Sequence, residues 1–280
     1  MSPASHSHSD RAGIAAGAPV YECGGFTSEA RRSSKPATVA LPFDQASLPG
    51  QDIGRIDPLI RDLCLNVQLR CPSWVSAANP DARAFAQLAI SLMRPSDRAL
   101  DLGTGTGLLA ICLAKLGRSV VAADISASAL RTASRNARRN AVHIKCRRTD
   151  LLSAIEGRFD WIAFNPPYSF RPDSFVSNVA RNLLRRVPWI RRGATRKMPA
   201  AVRTFRLRLL ERFISNARRH LAPQGCVLIH VYETEVGPLQ RVLPIGLQTR
   251  IMRHAGMLKF RTVGLMIRER PRAEGDLGSD

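Results

Sequence analysis

The stretch of the chain with the clearest chemical signature is a glycine-rich turn, D-L-G-T-G-T-G at residues 101–107. It joins an apolar strand pattern to an apolar helix pattern, and glycine there lets the backbone approach a nucleotide-like ligand closely. The spacing is G-x-G-x-G, with Leu108 where a dinucleotide-binding loop has its third glycine or alanine. Asp101, two positions before the first glycine, would repel a pyrophosphate and attract an ammonium group. The loop therefore favours S-adenosylmethionine over NAD; the alternative is a tight turn without a ligand.

Two further acids follow the next two predicted strands. Asp124 comes about 20 residues after the loop, where a carboxylate can accept hydrogen bonds from both ribose hydroxyls. Asp150 follows the third strand, where an acid can bond an adenine amino group. Either one alone could instead cap a helix. Because a ligand crevice lies at the carboxyl ends of the strands in an open α/β sheet, three acids at three successive strand ends favour a cofactor site.

A fourth strand ends in N-P-P-Y at residues 165–168. The two prolines restrict the backbone, so the side-chain oxygen of Asn165 and the carbonyl of Pro166 become acceptors in set directions. Two such acceptors can grip both hydrogens of a planar NH₂ group and orient its nitrogen toward a sulfonium methyl. Tyr168 offers a flat face to the same planar group. We expect no general base, and no suitable histidine or lysine is present in this stretch.

With A-D-I-S at residues 123–126, these motifs make the chain resemble the class I S-adenosylmethionine-dependent methyltransferases. More narrowly, it is similar to the HemK/PrmC branch and its methyltransferase small domain relatives, closely over residues 95–170 and loosely over 200–267. The resemblance implies that a set of nine residues binds S-adenosylmethionine: Asp101, Gly103, Thr104, Gly105, Gly107, Asp124, Ile125, Asp150 and Asn165. It also implies that Asn165, Pro166 and Tyr168 are the catalytic residues that hold the methyl acceptor.

The order of the elements predicts the fold that positions these residues. Asn79 and Pro80 are typical of a helix start, and short apolar strands then alternate with helical patterns through residue 232. Residues 248–253 and 258–267 suggest a final hairpin, whereas 57–74 fits either a helix or a strand pair. We predict a Rossmann-like, doubly wound α/β fold whose mostly parallel seven-stranded sheet ends in a C-terminal antiparallel hairpin.

The predicted domain organisation has four parts. Residues 1–50, rich in Ser, Ala, Gly and Pro, suggest a disordered leader, and 51–95 suggest an N-terminal cap on the substrate side. Residues 96–270 form the methyltransferase domain with a basic insertion at 170–200, and 271–280 are a polar tail. The N-terminal region shows no helical-bundle pattern like that of the release-factor enzymes, which leaves a glutamine acceptor open to question.

Composition limits the partners of this chain. Its 280 residues carry a formal charge of +20, and residues 171–219 hold 14 Lys or Arg against two acids. This basic segment predicts a polyanionic or ribosome-associated macromolecular substrate (RNA, DNA or a translation-factor protein), although a solvated basic surface is the alternative. Six scattered cysteines without a C-x-x-C pair predict no metal site and a cytoplasmic location. No apolar run is long enough to predict a membrane span.

These features predict an enzyme that transfers a methyl group from S-adenosylmethionine to a planar amide or exocyclic nitrogen of a macromolecule. The acceptor stays open among protein glutamine, adenine and guanine. One alternative is a methyltransferase for an acidic or phosphorylated small metabolite. Another is a non-catalytic nucleic-acid-binding protein built on the same fold.

Overall fold

The computed structural model describes residues 20–21, 56–72, 75, 78–167, 200–258 and 261–270. Along the chain the elements are β1 (Val20–Tyr21), α1 (Pro58–Asn66), α2 (Pro80–Leu92), β2 (Ala99–Leu102), α3 (Leu108–Lys115), β3 (Val120–Asp124), α4 (Ala127–Arg139), β4 (Lys145–Arg148), β5 (Phe159–Phe164), α5 (Ala200–Ala217), β6 (Leu221–Tyr232), α6 (Glu233–Arg241), β7 (Leu247–Met252), α7 (Ala255–Leu258) and β8 (Thr262–Glu269). A short 3₁₀ turn, Arg218–His220, joins α5 to β6.

The strands form one sheet in the order β1-β4-β3-β2-β5-β6-β8-β7. The five strands from β4 to β6 are parallel, whereas β8 runs antiparallel to β6 and β7 antiparallel to β8. The prediction of a mostly parallel seven-stranded sheet with a C-terminal antiparallel hairpin is therefore confirmed for β2–β8. An eighth, two-residue strand, β1, pairs antiparallel with β4. It lies inside the predicted leader, the rest of which is outside the described residues.

Helices cover both faces of the sheet. Alternate strand residues point to opposite sides, so Ala99 packs with α1–α4 while Leu100 packs with α5 and α6. Helix α4 shows how its pattern specifies this packing: Leu130 and Ala133 are buried, whereas Arg131 and Arg135 on the other side are exposed. Two buried layers of apolar side chains thus enclose a sheet whose strand ends carry the predicted site.

Local capping explains where the helices begin. Asn79 accepts a hydrogen bond from the Ala82 amide at 2.7 Å, and Ser126 accepts one from the Ala129 amide at 3.3 Å. The stretch 57–74, for which the sequence allowed two interpretations, contains helix α1, whose N-cap is Asp57. It packs against α2 and α3 within the apolar layer on one face of the sheet.

Element bounds differ from the predictions at two places. The pattern at residues 143–146 predicts the third strand, but β4 begins at Lys145, because its pairing with β3 starts at Val121 and Lys145. β8 begins at Thr262 rather than at residue 258, because the helical turn α7 occupies the connection from β7. None of the described helices is long and apolar enough to cross a membrane.

Candidate functional site

The glycine loop is a sharp turn that only glycine accommodates at two of its positions. Gly103 has φ +67° and Gly107, the N-cap of α3, has φ +86°. A β-carbon on Gly107 would lie 3.0 Å from the β-carbon of Ala133, and one on Gly103 would lie 3.2 Å from the ring of Phe164. The loop therefore combines left-handed backbone with close contacts to α4 and to the end of β5.

A pocket opens at the carboxyl ends of β2 and β5, beside this loop. Its lining includes Asp101, residues 103–106 of the loop and Asn165. Helix α2 supplies the opposite wall through Phe85 and its alanine neighbours. The structure thus brings together the glycine loop and the N-P-P segment, which are about 60 residues apart in the sequence.

Asp101 is the buried carboxyl group of this pocket. Its Oδ2 accepts hydrogen bonds from the Thr104 hydroxyl at 2.6 Å and from the Ala110 amide at 3.2 Å. Burial raises the pKa of Asp101 from 3.8 to about 7, although the two hydrogen bonds favour the carboxylate. Both bonds use Oδ2, so Oδ1 is the oxygen available to a ligand in the pocket.

Asp124 supports the loop from the next strand. Its Oδ2 accepts a hydrogen bond from the Gly105 amide at 3.1 Å, and its Oδ1 accepts one from the Ser126 amide at 2.9 Å. Burial raises the pKa of Asp124 above its usual value, while these backbone hydrogen bonds lower it. Ile125 follows with 53% of its surface exposed, which leaves an apolar face beside the strand end.

The third acid, Asp150, pairs with a cation of α5. It is exposed and its Oδ2 forms an ion pair with Arg212 at 3.1 Å. Like Asp124 and Ile125, it is not among the residues that line the pocket. A role for Asp150 at the adenine ring stays a prediction.

The acceptor motif is held by residues from distant parts of the chain. Oδ1 of Asn165 lies 2.8 Å from Nδ1 of His230 in β6. The carbonyl oxygens of Pro166 and Pro167 accept hydrogen bonds from Nη1 of Arg206 at 2.9 and 3.0 Å. Tyr168, the last member of the motif, lies outside the described residues.

Sequence reasoning missed His230 and Arg206. The N-P-P-Y stretch itself contains no histidine, but β5 and β6 pair with Phe164 opposite Ile229, so that Asn165 and His230 follow side by side. His230 is 65 residues from Asn165 and sits in an apolar strand pattern, so no local signal marks it. Its position follows only from the strand register.

Arg206 also corrects the interpretation of the basic segment. It is 2% exposed, and its Nε bonds both carboxylate oxygens of Glu235, at 2.8 and 3.1 Å. It therefore cannot contribute to a polyanion-binding surface. Of the other described cations of that segment, Arg212 and Arg218 pair with Asp150 and Glu269. Residues 168–199 lie outside the described part of the chain.

Comparison with known proteins identifies this arrangement. Residues 76–189 match the methyltransferase small domain family. This segment of the chain is similar to a methyltransferase small domain. The chain is 32% identical to the ribosomal protein L11 methyltransferase of Thermotoga neapolitana over 118 residues, which cover 42% of this chain and 43% of that protein. It is 51% identical to the release factor glutamine methyltransferase of Agrobacterium fabrum over 79 residues, or 26% of this chain and 27% of that protein.

A solved structure shares the fold of this chain. The ribosomal protein L11 methylase of Lactobacillus delbrueckii subsp. bulgaricus superposes with a TM-score of 0.53 at 22% identity, over 73% of this chain and 86% of that one. The resemblance to the class I methyltransferases and their HemK/PrmC branch is confirmed. The chain spans less than half the length of the two curated relatives named above.

Proposed function

We propose that this chain transfers a methyl group from S-adenosylmethionine to a planar NH₂ nitrogen of a cytoplasmic macromolecule. The observation that carries the proposal is the joint placement of Asp101 and Asn165 in one pocket at the ends of β2 and β5. The carboxylate of Asp101 suits a cationic cofactor, and the carboxamide oxygen of Asn165 suits a neutral NH₂ acceptor. A chain that only bound nucleic acid would have no use for this pair.

The residues of the pocket fit S-adenosylmethionine. Of the described residues that line it, none is Lys or Arg, which is unfavourable for a pyrophosphate and suitable for a cation. Asp101 Oδ1 would hold the ammonium group and the loop would lie against the nucleoside. Asp124 would accept the ribose hydroxyls and Ile125 would contact the adenine face. The cofactor supplies an electrophilic methyl group on a sulfonium.

The acceptor would be oriented by neutral oxygens. The Asn165 side-chain oxygen and the Pro166 carbonyl each have a second lone pair beyond the bonds to His230 and Arg206. Two such acceptors hold both hydrogens of a planar NH₂ and expose its nitrogen to the methyl group. Two of the relatives named above are methyltransferases of a ribosomal protein and of a release factor, which supports a macromolecular acceptor over a small metabolite.

Replacement of Asp124 by Ala is expected to weaken cofactor binding about 10- to 100-fold. It removes the hydrogen bond that holds Gly105 of the loop and the one to the Ser126 amide, besides the proposed bonds to ribose, and hydrogen bonds to charged groups contribute about 1.5–3 kcal/mol. Isothermal titration calorimetry with S-adenosylmethionine measures the change. Asp62→Ala removes an exposed carboxylate of α1 and is the control, so it should leave the affinity within about twofold. An unaltered affinity in Asp124→Ala would contradict the assignment of Asp124.

Cofactor affinity is expected to rise about tenfold between pH 6 and pH 8. The pKa of Asp101 is about 7 in the folded protein, so the carboxylate that attracts the ammonium group forms over this range. Isothermal titration calorimetry with S-adenosylmethionine between pH 6 and pH 8 measures this rise. Asp101→Asn is the control, because any rise that it still shows comes from titration of the ligand itself. The variant should bind weakly with no such rise, and a rise as large as that of the unmodified protein would contradict the role of Asp101.

The same pKa shift has an opposite effect on stability. The folded protein holds the Asp101 proton more tightly than the unfolded chain, so this contribution to stability is full below pH 3.8 and is lost as the pH rises through about 7. Asp101→Asn should therefore raise the melting temperature of the cofactor-free protein at pH 8. Differential scanning calorimetry at pH 8 measures it.

The function itself is tested with ribosomes and cell extract from a strain that lacks the gene. The purified chain and tritiated S-adenosylmethionine are added, and RNA, protein and small molecules are then separated. Label in protein or RNA, absent in extract from the parent strain, supports the proposal and identifies the acceptor. Label only in small molecules would favour the metabolite alternative. No binding of S-adenosylmethionine would overturn methyl transfer and favour the non-catalytic alternative.

A further inference from the structure

A buried line of polar side chains connects helix α2 to the acceptor motif. Nδ1 of His230 lies 2.8 Å from Oδ1 of Asn165, and Nε2 of the same ring lies 3.3 Å from Oδ1 of Asp81. His230 and Asp81 are 1% and 2% exposed. The imidazole therefore stands between a carboxylate of α2 and the carboxamide at the end of β5. Neither Asp81 nor His230 belongs to the motifs that the sequence singles out.

The two groups are held in place from several sides. The Thr262 hydroxyl of β8 donates a hydrogen bond to Asp81 Oδ1 at 2.9 Å. The His230 ring stacks on Phe85, with ring centroids 5.2 Å apart and planes 19° apart. Phe85 also lines the pocket, so the ring stands directly behind its wall. Packing and hydrogen bonding thus leave the imidazole little freedom to move.

The chemistry of these contacts determines the orientation of the Asn165 carboxamide. The Asp81 carboxylate and the Asn165 oxygen are both hydrogen-bond acceptors, so the two ring nitrogens can donate to them together only when the imidazole carries both protons. In this arrangement His230 is an imidazolium paired with the Asp81 carboxylate, and its Nδ1 donates to Asn165. A ring that donates at Nδ1 would meet an N–H if the carboxamide were turned over. That donor–donor contact is unfavourable in a buried site. The oxygen of Asn165 therefore stays against His230 with one lone pair still available.

We propose that Asp81 and His230 are a positioning pair that sets which end of the Asn165 carboxamide meets the methyl acceptor. The proposal rests on the proposed function, since it concerns the acceptor side of the same pocket. A reversed carboxamide would present donors to an NH₂ group that itself only donates. Helix α2 thereby has a role beyond covering the sheet, because it carries the carboxylate that holds the imidazole.

Two amide variants of His230 separate positioning from simple packing. His230→Asn places an amide N–H near the position of Nδ1 and keeps the contact to Asn165, whereas His230→Gln extends toward Asp81 and loses that contact. Selective ¹⁵N-asparagine labelling gives side-chain signals for only eight residues, and Asn165→Ala identifies those of Asn165. We expect His230→Asn to leave the Asn165 signals near their positions and His230→Gln to shift them. The internal reference is Asn140, the C-cap of α4, whose side-chain amide donates a hydrogen bond to the Gln68 carbonyl.

Equal shifts of the Asn165 signals in the two variants, or none in His230→Gln, would overturn the proposal. Circular dichroism shows whether each variant folds. If either His230 variant does not, Asp81→Asn is tested in its place, because an amide has nearly the same shape as the carboxylate. It is expected to shift the Asn165 signals and not those of Asn140, and unshifted Asn165 signals would overturn the proposal. This measurement needs no methyl acceptor, so it remains decisive even if the proposed function fails.

Methyl transfer to the ribosomes described above is the second readout. We expect His230→Gln to lower kcat about 100-fold with KM changed less than threefold, and His230→Asn to lower kcat less than tenfold. Cofactor affinity should stay within twofold in both. His254→Asn is the matched control, because His254 is half-buried and its Nδ1 accepts a hydrogen bond only from the nearby Gly256 amide among the described contacts. Equal losses of kcat in the two His230 variants would contradict a positioning role.

Discussion

Replacement of Asn165 by Ala is expected to lower kcat for methyl transfer about 10²- to 10³-fold, while the affinity for S-adenosylmethionine stays within about twofold. The side chain supplies an oxygen that orients the acceptor nitrogen, and this orientation matters most as the nitrogen approaches the methyl group. Asp101 and the glycine loop, which would hold the cofactor, keep their hydrogen bonds without it. Single-turnover kinetics and calorimetry measure the two quantities separately.

The matched control is Asn216→Ala, which removes the same side chain from an exposed position on α5. It should leave both quantities unchanged. Circular dichroism shows whether Asn165→Ala still folds. If that variant retained full turnover with a native spectrum, Asn165 would have no part in the mechanism.

Replacement of Arg206 by Met is expected to lower the free energy of unfolding by about 3–5 kcal/mol. The guanidinium is buried and donates to Glu235, to the carbonyls of Pro166 and Pro167, and to the carbonyl of His230 at 2.8 Å. Its loss leaves the Glu235 carboxylate charged and buried without its partner. Urea denaturation followed by circular dichroism measures the change.

Two further variants show that burial is the cause. Arg212→Met removes an exposed cation whose ion pair with Asp150 is open to solvent, so it should cost less than about 1 kcal/mol. The double variant Arg206→Met with Glu235→Met removes both buried charges and should recover much of the loss. Equal effects of Arg206→Met and Arg212→Met would contradict this account of the buried pair.

The loss of Arg206 should also be visible at the acceptor motif. Its guanidinium ties the two proline carbonyls to β6 and α6, so the motif is held in place by a buried cation and not by the prolines alone. The proline pair restricts the backbone locally, whereas Arg206 fixes where the restricted segment lies relative to the sheet. This division of roles could not be read from the N-P-P-Y motif.

Several features could be predicted because they depend on neighbours in the sequence. The turn between β2 and α3 needs glycine at particular positions, and its left-handed residues Gly103 and Gly107 lie inside the recognised motif. Helix α4 begins after its Ser126 cap and buries the apolar stripe that its spacing predicts. The parallel order of the sheet follows from the alternation of strands and helices.

Other features were missed because they depend on contacts between distant segments. No local pattern indicates the ion pair between Asp150 and Arg212, which is 62 residues away. Arg206 has the same residue type as its exposed neighbours in the basic segment, and only the packing of α5 against the sheet buries it. Charge counts along a chain do not distinguish a buried cation from a solvated one.

The sequence by itself thus determined the class of the fold, the glycine loop and the N-P-P-Y motif, since each is encoded within a short segment. Only the tertiary structure decided how Asn165 of that motif is held. Asn165 meets His230 through the register of β5 and β6, and Asp81 meets Thr262 across 181 residues of chain. Such contacts are set by how helices pack on the sheet and how strands align, and neither leaves a periodic or local pattern in the sequence.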